Sequence, residues 1–176
     1  IVLMGRYPHL HPFGFEGPAD FACADGALDV TGMTNLKQRS FLTLSGGEKQ
    51  RVVIASALAQ LSTSDNSDIK SKILLLDEPT ASLDLAYQLE IALLLQELNA
   101  KGMTIIVCTH DLNLAATVCQ ELIFLREGRV INAGPTTEVF TEESVEACYG
   151  VEVSLAYHAA SGNTLVVPLT PSNGTT

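Results

Sequence analysis

The sequence predicts an α/β fold in which helices pack on a parallel sheet. Two short apolar runs, residues 73–76 and 105–108, each end in polar residues, and such runs are typical of strands buried on both faces of a parallel sheet. Between them, residues 85–99 carry leucines and alanines along a helical pattern that stops before Gly102. Parallel strands of this kind present functional side chains at their carboxyl ends.

Composition narrows the class of protein. The chain has 176 residues, of which 47% are hydrophobic, so it can bury the core of one domain, or of one domain with a small lobe. The excess of 20 acidic over 10 basic residues gives a formal charge of -10, which argues against nucleic acid as the main partner. The four cysteines have neither paired nor zinc-site spacing, as expected of thiols in a reducing compartment. No apolar run reaches the roughly 18 residues that a bilayer span requires.

Residues 44–50 read Leu-Ser-Gly-Gly-Glu-Lys-Gln and predict an anion site at the start of a helix over 47–61. Ser45 can cap that helix, and Gly46 and Gly47 let the backbone approach a ligand closely. The helix start then points N–H groups and the positive end of its dipole at a phosphate. Taken alone, Ser-Gly-Gly is more often a capped turn, but the full string, which continues through Glu48 and Gln50, favours phosphate binding. Nearby basic residues add positive charge: Lys37, Arg39, Lys49 and Arg51.

Two carboxylates, Asp77 and Glu78, follow the first apolar run. Asp77 can hold Mg²⁺ directly or through water, and Glu78 would then lie next to a water that attacks a phosphate. An isolated Asp-Glu-Pro is more often a solvated strand end with a proline turn. Two further motifs follow in order, Ser-Leu-Asp at 82–84 and Thr-His-Asp at 109–111. They favour a functional role of the two carboxylates over a solvated strand end. The second strand should bring His110 to the same sheet edge as Asp77 and Glu78.

In this order, the motifs resemble the ATP-binding cassette family, whose ATPases have a P-loop NTPase-like core with a parallel sheet and a helical subdomain that carries the signature. The resemblance covers nearly the whole chain and implies ATP and Mg²⁺ as ligands. It also implies a dimer of ATPase subunits, in which each ATP lies between the phosphate loop of one subunit and the signature of the other.

The resemblance also implies a role for each matching residue. Ser45, Gly46 and Gly47 would contact the partner subunit's nucleotide, within a signature that continues through Glu48 and Gln50. Asp77 would serve the magnesium site, and Glu78 would act as general base or position the water. His110 would hold the terminal phosphate and the attacking water, while Asp84 would communicate across the dimer.

No glycine in the chain is followed by lysine, so the phosphate loop G-x-x-x-x-G-K-[ST] is absent from these 176 residues. The chain is therefore expected to be a fragment of a longer subunit, truncated at its N-terminus, which by itself hydrolyses ATP poorly. The expected organisation is a helical signature subdomain at 1–61, a polar linker at 62–72, the C-terminal part of the ATPase core at 73–170, and a tail at 171–176.

Residues 5–9, residues 110–115 and the tail resemble importers of iron-siderophores, haem and cobalamin. Within that group, the polar segment 62–68 and the ending 151–168 resemble hemin importers most. This implies an ATPase that energises uptake through transmembrane permease subunits and lies peripherally on the cytoplasmic side of the inner membrane. His9 and His11, which lie in a proline-rich loop, are expected to be solvated or to pack rather than to bind metal.

Two alternatives remain. Chromosome-maintenance and repair ATPases carry similar motifs, but they insert long coiled coils, and only 62–72 lies between signature and acidic strand here. A non-catalytic half-cassette could donate its signature in trans to another subunit's ATP. The presence of Glu78 and His110 argues against that role.

Overall fold

The computed structural model describes residues 1–62, 71–81, 83–159 and 162–171, with the backbone alone for 170 and 171. By contacts, the chain forms two compact units, Ile1–Cys108 and Thr109–Thr176. Most of the expected linker (63–70), Ser82 of the Ser-Leu-Asp loop and tail residues 172–176 lie outside the described residues.

The first unit combines helices with two strands. It contains a 3₁₀ helix at Val2–His9, α1 at Pro18–Val30, short 3₁₀ turns at Thr34–Leu36 and Phe41–Thr43, α2 at Gly46–Leu61, β1 at Ile73–Asp77, α3 at Leu85–Ala100 and β2 at Thr104–Cys108. The helices predicted over 47–61 and 85–99 are confirmed as α2 and α3. A proline in the first turn of α1 suits a helix start, since its missing N–H would have no partner there.

The two strands of the first unit pair in parallel, with Ile73 opposite Thr104 and Asp77 opposite Cys108. The predicted α/β fold with a parallel sheet is therefore confirmed. Burial of β1 on both faces was wrong: Leu74 is 2% exposed, whereas Leu75 is 68% exposed. Leu74 lies on the face that packs against the helical core, and within the described part of this unit the opposite face has no comparable cover.

Side chains from α2, α3 and the segment before β2 form the core of the first unit. Ile54, Ile91, Leu98 and Met103 are almost completely buried there. Ile54 lies on α2, and Ile91 and Leu98 lie on α3, so the two helices share this core. The same packing supports the face of β1 that carries Leu74.

A buried arginine ties the 3₁₀ helix to α1 and to the end of α2. The Arg6 guanidinium pairs with Asp20 at 3.0 Å, and it donates hydrogen bonds to the carbonyls of Ala59 and Ser62. A cation at the C-terminus of a helix offsets the negative end of its dipole. The backbone N–H of Gly17, followed by the hydrogen bond from Arg6, holds the pKa of Asp20 below its ordinary value.

The second unit contains two hairpins and three helices among its described residues. These are α4 at Leu112–Val118, β3 at Glu121–Arg126, β4 at Arg129–Pro135, α5 at Thr136–Val139, α6 at Glu142–Tyr149, β5 at Val151–His158 and β6 at Asn163–Pro171. Strands β3 and β4 pair antiparallel, and Glu127 and Gly128 between them both have positive φ, as a tight hairpin turn requires. The β5–β6 hairpin was not predicted.

Helix starts in the second unit follow the local sequence. Asp111 caps α4 by accepting from the Leu114 N–H at 2.9 Å, and Thr141 caps α6 by accepting from the Ser144 N–H. The unit's core contains Phe124, Val139, Phe140, Val145 and Val153. Along the described residues, helices are too short or too polar to cross a bilayer.

Candidate functional site

The start of α2 is fixed by reciprocal hydrogen bonds between Ser45 and Glu48. The Ser45 hydroxyl accepts from the Glu48 N–H at 3.3 Å, and the Glu48 carboxylate accepts from the Ser45 N–H at 2.7 Å. This is a capping box, which satisfies two helix-start donors. The bond from the Ser45 N–H also lowers the pKa of Glu48, so the carboxylate is ionised at neutral pH.

The first N–H groups of α2 belong to Gly46 and Gly47, on the turn that the capping box shapes. The N–H groups in the first turn of a helix have no partner within the helix, and the dipole there favours an anion. Gly46 is exposed, while Gly47 is buried. Gln50, the last residue of the predicted motif, lies half-buried on the same helix. The arrangement can bind a phosphate through backbone N–H groups and the Ser45 hydroxyl.

Close packing explains why residue 47 must be glycine. A Cβ at Gly47 would overlap the ring of Tyr87, which lies on α3. A Cβ at Gly46 would lie 3.4 Å from Leu83, in ordinary contact. Gly47 therefore allows α3 to approach the start of α2, whereas Gly46 remains open for a ligand.

Tyr87 also joins the signature to Asp84. The Ser45 hydroxyl donates to the Tyr87 hydroxyl oxygen at 3.4 Å, and the Tyr87 N–H donates to the Asp84 carboxylate at 3.1 Å. Asp84 is thus the N-cap of α3. Sequence analysis missed Tyr87, because an aromatic residue three positions after a cap carries no local indication of a contact 42 residues away.

Most of the positive charge near the signature is engaged within the chain. Lys37 pairs with Asp25 at 3.4 Å, and the pair is largely exposed. Arg39 donates to Thr43. Arg51 bonds to the Thr31 carbonyl and to Glu90. Three of the four predicted basic residues, Lys37, Arg39 and Arg51, therefore bond to groups of the first unit.

The acidic strand end has an unusual backbone. Asp77 is exposed, and Glu78, half-buried, has a φ of 45°, in the left-handed region that few residues other than glycine adopt. The Glu78 N–H donates to the Cys108 carbonyl at 2.9 Å, and Pro79 and Thr80 behind it are buried. Strained positions of this kind occur at functional sites, where the surrounding structure holds them in place.

The chemistry of Asp77 fits magnesium. Mg²⁺ is usually held by one or two carboxylates together with phosphate oxygens and water, so a preformed cage is not required. The described residues contain no group of three or more His, Cys, Asp or Glu side chains that could hold a metal ion. An exposed carboxylate at the end of a strand is therefore the kind of ligand that a magnesium-nucleotide would use.

His110 lies in the second unit and is exposed. It precedes the cap of α4, where the Asp111 N–H donates to the Thr109 hydroxyl at 3.1 Å. Its predicted place beside Asp77 and Glu78 stays a prediction.

The structure brings most of the predicted residues into two groups within the first unit. Ser45, Gly46, Gly47 and Glu48 form one turn, and Tyr87 links that turn to Asp84. Asp77 and Glu78 are consecutive at the end of β1.

Comparison with known proteins gives a consistent result. Residues 13–81 match the family model described as ABC transporter. The chain is 42% identical over 168 residues to a hemin import ATP-binding protein of Myxococcus xanthus, covering 96% of this chain and 61% of that protein. It is 40% identical over 170 residues to the ferric enterobactin transport ATP-binding protein of Escherichia coli, covering 96% and 59% respectively.

Solved structures agree. A metal-chelate type ABC transporter in an inward-facing conformation matches with a TM-score of 0.83 and 33% identity, over 96% of this chain and 65% of that one. A component of an ABC transporter complex from Clostridium perfringens matches with a TM-score of 0.63 and 36% identity, over 83% and 53%. The chain thus spans about three fifths of the length of the curated relatives named above.

Proposed function

We propose that this chain is part of the ATP-hydrolysing subunit of an importer of the ABC transporter family, whose model matches residues 13–81. The observation that carries the proposal is the capping box between Ser45 and Glu48, which shapes an anion site at the start of α2. The N–H groups of Gly46 and Gly47 supply backbone donors at that site.

In the proposed dimer, this site binds the terminal phosphate of ATP held by the partner subunit. Ser45 donates through its hydroxyl, and the exposed Gly46 presents its backbone N–H. The positive end of α2 stabilises the negative charge of the phosphate. The signature then serves mainly to position the phosphate and to stabilise charge, which are the main contributions of a protein to phosphoryl transfer.

Asp77 and Glu78 act at the subunit's own nucleotide. Asp77 would hold Mg²⁺, which would neutralise negative charge on the phosphates when bound. Glu78 orients the attacking water and accepts its proton, and the positive φ fixes the direction of its side chain. To His110 we assign a hydrogen bond to the terminal phosphate, and to Asp84 we assign communication between the two subunits of the dimer.

The test is ATP turnover by the complete subunit, expressed from its full reading frame, with and without Mg²⁺. We expect turnover that requires Mg²⁺ and that falls in Asp77→Asn and Ser45→Ala. Asp29→Asn provides a control, because Asp29 is exposed and lies at the end of α1. Turnover that does not change in Asp77→Asn and Ser45→Ala would overturn the proposal.

For the transported substrate, we propose haem or a ferric siderophore, moved by permease subunits with this ATPase on the cytoplasmic side of the membrane. The names of the relatives support this, since they include a hemin import protein and a ferric enterobactin transport protein. Uptake of labelled haem, ferric siderophore and cobalamin into vesicles that contain the reconstituted transporter separates the three. ATP-dependent uptake of cobalamin alone would contradict the proposal.

A further inference from the structure

We propose that Tyr87 is a positioning residue that sets the orientation of the Ser45 hydroxyl and transmits the position of Asp84 to the signature. This inference rests on the proposed function, because it concerns the same phosphate site. Tyr87 does not touch the phosphate in this proposal. It acts through Ser45 and Gly47.

The first support is the hydroxyl network. The Ser45 hydroxyl accepts from the Glu48 N–H and donates to Tyr87, so it is held on both its acceptor and its donor side. A hydroxyl rotates freely unless its partners fix it. Tyr87 therefore determines where the Ser45 proton points before a phosphate competes for it.

The second support is the packing of the Tyr87 ring. The half-buried ring occupies the place where a Cβ of residue 47 would be, so it forms the surface on which the signature turn lies. A shift of α3 cannot leave that turn unchanged, because packed groups at this distance move together.

The third support is the connection to Asp84. The Asp84 carboxylate accepts from the Tyr87 backbone N–H, and the Tyr87 hydroxyl accepts from Ser45, so the two ends of Tyr87 are held by Asp84 and by the signature. All three residues belong to the first unit. A displacement of Asp84 would thus change the donor that the phosphate meets at Ser45.

The test compares Tyr87→Phe with wild type in the complete subunit, using steady-state ATP hydrolysis. Phenylalanine keeps the ring on Gly47 and removes only the hydroxyl. We expect the ATP concentration for half-maximal turnover to rise about two- to fivefold, the effect of one neutral hydrogen bond, with kcat nearly unchanged. Tyr157→Phe is the matched control, since Tyr157 is exposed on β5.

The same substitution in a Ser45→Ala background separates positioning from a general structural role. If Tyr87 acts through Ser45, Tyr87→Phe has no further effect once the Ser45 hydroxyl is gone. An equal effect of Tyr87→Phe in both backgrounds, or no effect in either, would overturn the inference. In that case, ATP turnover by the wild-type subunit would still support the proposed function. A wild-type subunit without ATP turnover would overturn both.

A second measurement needs no ATP. Gly47→Ala should lower the thermal midpoint of the 176-residue chain, because the new methyl overlaps the Tyr87 ring. In a Tyr87→Ala background, where the ring is absent, Gly47→Ala should lower the thermal midpoint much less. A Gly47→Ala variant that is equally destabilised with and without the ring would contradict the contact on which the inference depends.

Discussion

Ser45 and Glu48 each satisfy the other's backbone N–H, at 3.3 and 2.7 Å. The pair fixes the turn that carries Gly46 and Gly47, so the shape of the proposed phosphate site depends on a carboxylate that does not itself need to touch phosphate. Because the Ser45 N–H holds the pKa of Glu48 down, the carboxylate keeps this bond well below neutral pH.

Glu48→Ala should lower the thermal midpoint by about 2 °C, since one capping bond of a helix start is lost in a chain of this size. Glu48→Gln keeps an acceptor oxygen at the same place and should remain close to wild type. Differential scanning calorimetry of the three proteins checks the prediction. Equal loss in both variants would mean that the charge, rather than the hydrogen bond, stabilises the turn.

Glu78→Gln should slow ATP hydrolysis by the complete subunit about 10²-fold or more, because the group proposed to orient the water and accept its proton is lost. Nucleotide binding should be retained, since the phosphate contacts remain. Steady-state turnover and equilibrium binding of a fluorescent ATP analogue separate the two effects. Glu97→Gln, exposed on α3, is the control, and unchanged turnover in Glu78→Gln would remove Glu78 from catalysis.

Arg6→Ala should lower the free energy of unfolding by about 2–4 kcal/mol, because it removes bonds to two carbonyls at the end of α2 and leaves them without their buried partner. Urea unfolding of the 176-residue chain measures the change. Arg39→Ala should stay within about 0.5 kcal/mol of wild type, as Arg39 is exposed. A similar loss in both variants would contradict a special role of Arg6.

The depressed pKa of Asp20 predicts the pH dependence of stability. Its folded-state pKa lies below the ordinary 3.8, so its contribution is fully present above that value. The contribution is lost as the pH falls through the lower, folded-state pKa. Urea unfolding between pH 2 and 7 should show a steeper acid loss for wild type than for Asp20→Asn. Parallel curves would show that the interactions of Asp20 do not stabilise the fold.

Features determined by a few neighbouring residues could be predicted from the sequence. The helix starts at Ser45 and Asp111 follow from one polar side chain and the N–H groups three positions later. The strand that ends at Asp77 follows from a short apolar run. Its place in a parallel sheet was predicted correctly.

Features that depend on distant partners could not be predicted. Tyr87 meets Ser45 across 42 positions, and no local pattern indicates such a contact. The sequence predicted a strand buried on both faces, and the exposed Leu75 shows that this was wrong. An apolar run does not tell which faces of a strand are covered. The positive φ of Glu78 is set by the bond of its N–H to Cys108 and by the buried residues behind it, rather than by residue type.

The central claim is that the turn at Ser45 binds ATP across a dimer of complete subunits. The most direct measurement is the molar mass of the Glu78→Gln subunit by light scattering, with and without ATP and Mg²⁺. We predict that ATP doubles the mass, and that the added Ser45→Arg substitution, which places a large side chain in the phosphate site, prevents the doubling. Ser40→Arg, at an exposed position nearby, should leave the doubling intact. A doubling that persists with Ser45→Arg would contradict the claim.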